Sequence, residues 1–127
     1  MGTEYASTVR IGDKDYELLL TTRATKEIAG RYGGLENLGD KLMKSENFEI
    51  AIGEIVWLIA LLANQSILIY NLSHKDKPKD ELTEEEIELL TCPYDLAEYK
   101  TAITEALTKG TKRTVESEAD PKNTQAE

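Results

Sequence analysis

The sequence predicts an α+β fold, mostly α, with an N-terminal β-hairpin packed on a small helical bundle around a long central helix, followed by a disordered tail. Three observations carry that expectation. Apolar and polar residues alternate from Thr8 to Leu20 around a Gly/Asp-rich connection, the period-2 pattern of two paired strands. From Phe48 to Leu62, apolar residues recur at i, i+3, i+4 and i+7, the stripe of a core-facing helix. After Gly110 the only apolar residue larger than alanine is Val115, too little to offset the entropy of ordering the segment. At 127 residues the chain is expected to form one domain over 1–110, with 111–127 as the tail.

Each element has a local reason. Val9 and Ile11 alternate with Thr8 and Arg10. Gly12–Asp13–Lys14–Asp15 connects them to Tyr16, Leu18 and Leu20, so the hairpin covers about 5–21. A lone hairpin is marginal in water and must lay its apolar face on helices. Thr21 or Thr22 caps a helix from about Arg23 to Tyr32, with Ala24, Ile28 and Tyr32 on one face. Gly33–Gly34 ends it, because glycine accepts the left-handed geometry of a helix stop. A short helix from about Leu35 to Met43 aligns Leu35, Leu38 and Leu42.

Ser45 and Asn47 compete to cap the long helix. It continues through Asn64–Ser66 to about Leu72, or it breaks there. Val56, Trp57 and Leu61 lie off the main stripe, so this helix is either central in a bundle or supplies an interface. His74–Asp80 is a polar connector whose Pro78 precludes a continuous helix. Thr83-x-x-Glu86 is a capping box and opens a helix from Glu84 to about Leu90, stopped by Pro93. A last helix, from Asp95 or Leu96 to Leu107, aligns Leu96, Tyr99, Ile103 and Leu107 and ends at Gly110.

Composition excludes several functions. The 15 basic and 24 acidic side chains give a net charge of −9, which disfavours binding to nucleic acid phosphates and to anionic membranes. One cysteine, Cys92, makes no internal disulfide, and with one histidine, His74, it builds no Cys/His zinc site. The longest uninterrupted apolar run, Ile55–Ala63, is nine residues, short of the about 20 a membrane span needs. The start, Met1–Gly2–Thr3–Glu4, carries no secretory signal pattern and only loosely matches a myristoylation signal. Asp80–Glu88 holds six acids and no base, so six of the nine net charges sit around one connector and helix start.

No catalytic set emerges. The acids of 80–88 are consecutive at a helix start, where they complement the helix dipole, and do not converge from several elements on one pocket. Cys92 and His74 could form a nucleophile–base pair only if the fold joined them; otherwise Cys92 is a small hydrophobe beside Pro93. No serine lies in a G-x-S-x-G elbow, and Gly33–Gly34 belongs to no phosphate loop. The sequence therefore predicts a non-enzyme, with no catalytic, cofactor-binding or metal-binding residues and no cofactor. Trp57 reads as a core residue or as an anchor for a partner. The residues expected to meet a partner are Trp57, Leu61, Ile67, Ile69 and Tyr70.

The stretch from Tyr16 through Thr21–Thr22–Arg23–Ala24 and Tyr32–Gly33–Gly34 to Leu38 resembles the tail assembly chaperones of long-tailed siphophages and prophages, including those like gene-transfer agents. Proteins of that family open with a hairpin that runs into a T-x-R-A helix start, then a Y-G-G stop, a short helix and a long helix that often holds a tryptophan. The resemblance covers roughly residues 5 to 108. It implies a small helical chaperone that coats the tape measure protein, helps recruit tail tube subunits, often self-associates, and works in the bacterial cytoplasm without entering the virion. Some members have a longer, frameshifted form. Two other classes remain open from the residues themselves: an acidic DNA mimic or other small inhibitory or adaptor protein, and a small enzyme.

Overall fold

The computed structural model describes residues 7–34, 37–38 and 48–119. The elements are β1 (Ser7–Ile11), β2 (Lys14–Leu18), α1 (Thr22–Tyr32), α2 (Phe48–Ser73), α3 (Glu84–Leu90) and α4 (Pro93–Ala119). The expected class holds: a mostly helical chain with an N-terminal antiparallel hairpin. The strands pair in register from Ser7 opposite Leu18 to Ile11 opposite Lys14. The loop is two residues, Gly12–Asp13, where the sequence suggested four, and Lys14 and Asp15 belong to β2. Gly12 has φ +64°, the positive value that tight hairpin turns require at their first loop position.

Thr21, not Thr22, caps α1: its Oγ1 accepts the Ala24 N–H at 3.0 Å. Gly33 ends α1 with φ +83°, its N–H bonded to the Ala29 carbonyl. The expected helix over Leu35–Met43 lies mostly outside the described residues. Within them, Asn37 and Leu38 are helical and Leu38 is buried.

Helix α2 is central. Ile55, Val56, Leu58, Ile59, Ala60, Leu62 and Ala63 are all buried, on more faces than one stripe could cover. The hairpin, α1, α3 and α4 all pack against it. The apolar excess of Ile55–Leu62 is thus largely consumed inside the fold, with Trp57 and Leu61 left half-buried. By length and composition alone, Ala51–Ser73 is long and apolar enough to cross a membrane, and half of an 18-residue window within it is buried here.

The polar triplet does not break α2. Each member holds a different segment. Asn64 accepts the Leu82 N–H at 2.6 Å and donates to the Leu82 carbonyl at 2.8 Å. Gln65 takes the Thr21 hydroxyl at 2.6 Å. Ser66 donates to the Glu17 carbonyl at 3.1 Å. The Leu19 N–H also reaches the Leu62 carbonyl at 3.2 Å. Near the end of α2, Asn71 repeats the Asn64 arrangement with the N–H and carbonyl of Lys79, at 2.9 and 3.1 Å.

The capping box at Thr83 and Glu86 forms as expected and starts α3. α3 ends at Leu90 as expected, with Thr91 extended at its cap, and Pro93, just beyond that end, also opens α4. Proline suits a first helical position, where its missing N–H has no partner to lose. The Asp95 carboxylate accepts the Cys92 N–H at 3.0 Å and secures this start. Gly110 does not stop α4, which continues to Ala119. Of the expected tail, 111–119 is helical and 120–127 lies outside the described residues. Gly110 is absent from the glycines with positive φ. Its place is explained by proximity: a Cβ there would sit 2.8 Å from Leu20 Cβ, so glycine lets α4 approach the end of the hairpin.

Two stability outcomes follow. Gly110→Ala gains about 1 kcal/mol of helix propensity but overpacks against Leu20 at a cost of about 1–3 kcal/mol. Its urea midpoint should fall; a raised midpoint would show that α4 does not need the close approach. Asn64→Ala leaves the part-buried Leu82 N–H and carbonyl unpaired and should lower stability by about 1–3 kcal/mol. Asn71→Ala, whose pair is exposed, should cost less in the same urea titration.

Candidate functional site

Chemistry-bearing side chains are scattered. Cys92 is an exposed free thiol. The His74 Nδ1 lies 2.8 Å from the Tyr70 carbonyl and 3.2 Å from Ser73 Oγ. Among the described residues, no group of three or more His, Cys, Asp or Glu side chains is placed to hold a metal ion. The surface features that stand out are apolar.

The structure separates the five residues the sequence singled out for a partner. Trp57 is half-buried. Tyr32 meets it edge-on with ring centroids 6.0 Å apart, and the Arg31 guanidinium covers it at 4.3 Å. The Glu54 carboxylate accepts from both Tyr32 Oη and Arg31 Nε. Burial opposes the charge on Arg31, but these bonds outweigh it and hold its pKa above the ordinary value. Leu61 is half-buried against the core. Ile67 is 8% exposed and offers a partner nothing. Tyr70 stacks flat on His74 at 3.8 Å, with Lys79 Nζ 4.3 Å from its ring centroid. Ile69 alone of the five is exposed.

The larger exposed apolar side chains are ones the sequence reading missed. Leu89 is 76% exposed, Leu90 54%, Tyr94 77% and Leu72 71%. Leu89, Leu90 and Tyr94 share the corner between α3 and α4. A signal for them exists: α3 is seven residues long and buries Ile87. Leu89 lies two positions on, about 200° around the helix, and cannot face the same way.

Beside this corner, a cleft of about 430 Å3 runs between β1 and α4, lined by Thr8, Val9, Arg10 and Gly12 on one side and Glu98, Tyr99, Ala102 and Glu105 on the other. Leu90 also lines it. Tyr99 Oη donates to the Arg10 carbonyl at 2.6 Å, and Ser7 Oγ donates to the Ala102 carbonyl at 2.7 Å. Burial, reinforced by the charges of Asp95 and Glu98, pushes the Tyr99 phenol up to about 12.

The chain matches no family model, no curated protein and no solved structure.

Tyr32 is also raised, first by burial and then by its bond to Glu54. Both phenols thus keep their protons in the folded chain above the ordinary value of 10.0. As pH rises past 10, the unfolded chain binds fewer protons than the folded one, so stability falls. The contribution from Tyr99 is complete below pH 10 and is lost as pH climbs toward about 12. Urea titrations at successive alkaline pH values should show this decline, and Tyr99→Phe should make its slope shallower.

Proposed function

We propose that this chain is a tail assembly chaperone of long-tailed phages or prophages. In this reading it holds the tape measure protein in the host cytoplasm, helps bring up tail tube subunits, and is absent from the virion. The observation that supports it is the exposed apolar corner of Leu89, Leu90 and Tyr94, with Ile69 and Leu72 exposed on α2. A protein that keeps a long apolar helix in solution needs apolar surface of its own on a charged body. Here the corner directly follows the six acids of 80–88. Complete burial of one leucine side chain contributes about 1.5–3 kcal/mol. Three or four such anchors, set against the cost of association, give reversible holding. Self-association, in the same reading, uses this corner and not the largely buried Ile55–Leu62 stretch.

The test is co-expression with a tape measure protein. The wild-type chain should raise the soluble fraction. The double variant Leu89→Ser/Tyr94→Ser should lose that effect while its urea midpoint changes by less than about 0.5 kcal/mol in stability, since both side chains project into solvent. A tape measure protein no more soluble with the wild-type chain than without it would refute the reading.

A further inference from the structure

We propose that the outer edge of β1 is a docking site for an extended, lysine- or arginine-bearing segment of a partner protein, which adds to the hairpin as a third strand lying over α4. This goes beyond the chaperone reading and does not depend on it.

The register fixes which backbone groups are free. Around a two-residue loop, the closing pair Ile11 and Lys14 exchanges hydrogen bonds, and so do the alternate pairs Val9–Tyr16 and Ser7–Leu18. Thr8 and Arg10 therefore turn their N–H and carbonyl groups away from β2. The bond from Tyr99 to the Arg10 carbonyl, on the α4 side, agrees with that assignment. Thr8 keeps both its N–H and its carbonyl without a partner among the described residues, and together they form the half-pair that an incoming antiparallel strand completes. An open edge of this kind is a template for strand addition.

The cleft makes the edge selective. A strand added here lies beside β1 and over α4, which is its floor; Tyr99 already takes the Arg10 carbonyl, so Thr8 supplies the free donor and acceptor. The carboxylates of that floor are Asp95, Glu98 and Glu105. Asp95 is committed to the Cys92 N–H. Glu98 and Glu105 have no ion-pair partner among the described residues. They lie two helical turns apart, roughly 10 Å along the axis, within reach of two basic side chains on one face of a strand. The one basic group in the cleft, Arg10, is held by the Asp15 carboxylate at 3.0 Å and the Asp13 carbonyl at 3.2 Å. An acidic floor under free main-chain groups fits a cationic strand and repels an anionic one. Leu90, which lines the cleft and is 54% exposed, offers a contact for one apolar side chain of the same segment.

The experiment is fluorescence anisotropy with a labelled seven-residue peptide of alternating valine and lysine, titrated with the full chain. Two control peptides carry glutamate for lysine, or N-methyl groups on alternate backbone nitrogens. The lysine peptide should bind at least 10-fold more tightly than either. Thr8→Pro removes the outward N–H but no bond to β2, and should weaken binding about 10-fold with an unchanged far-UV spectrum. The exposed pair Glu98→Lys/Glu105→Lys should reverse the preference between lysine and glutamate peptides, and it tests the site independently should the proline variant unfold. Equal binding of the N-methylated peptide would reduce the effect to attraction by net charge and overturn the proposal. So would indifference to Glu98→Lys/Glu105→Lys, or no binding of the lysine peptide at millimolar protein.

Discussion

The fold depends on three consecutive polar side chains in the middle of its most apolar helix. Asn64, Gln65 and Ser66 each bond a different segment: the approach to α3, the cap of α1, and the backbone of β2. Apolar burial alone would leave the pieces around α2 free to slide, because it is nearly indifferent to direction. Hydrogen bonds are directional, and buried donors and acceptors left unpaired are costly. The triplet therefore sets the registry of parts that the hydrophobic core only holds together. It also explains how a long apolar helix can carry a polar interruption without breaking. The helix backbone keeps its own bonds; Asn64 is spent on a neighbour, while Gln65 and Ser66 reach both a neighbour and a carbonyl of their own helix.

The distribution of apolar surface has a matching logic. The stretch with the most apolar faces, Ile55–Ala63, is covered from several sides, while a short helix at the periphery exposes adjacent leucines. A central helix needs apolar residues all around it. A seven-residue helix on the surface can bury one side only. Exposed apolar residues on such a helix serve no internal packing, which is why the corner of Leu89, Leu90 and Tyr94 supports a role in contact with another chain.

Much of this was legible in the residues. Alternation located the hairpin, Thr21 and Gly33 bracket α1 as their chemistry requires, and Thr83 with Glu86 caps α3 as the motif specifies. What was not legible depends on partners distant in sequence. Gly110 reads as a helix stop until Leu20 is placed against it. Pro93 reads as the end of one helix, although its lost N–H is equally harmless at the start of the next. Ile67 and Ile69 are two residues apart and so face opposite sides of α2; the first is buried and the second exposed, a difference the sequence reading passed over. Trp57 was open between core and anchor; Tyr32 and Arg31 settle it half-covered by its own chain.

The paired asparagines of α2 work as a ruler. Asn64 and Asn71 are seven residues apart, about 10.5 Å along a helix. The backbone groups they grip, at Leu82 and Lys79, are three residues apart, about 10 Å in extended chain. The two lengths agree, so the returning segment must stay stretched and run opposite to α2. One residue added or removed between Lys79 and Leu82 would break one grip, whereas the turn from His74 to Pro78 lies outside the measured span and can change length freely. The segment can also peel away only from its outer end, since the Asn71 grip is solvent-exposed and the Asn64 grip is part-buried.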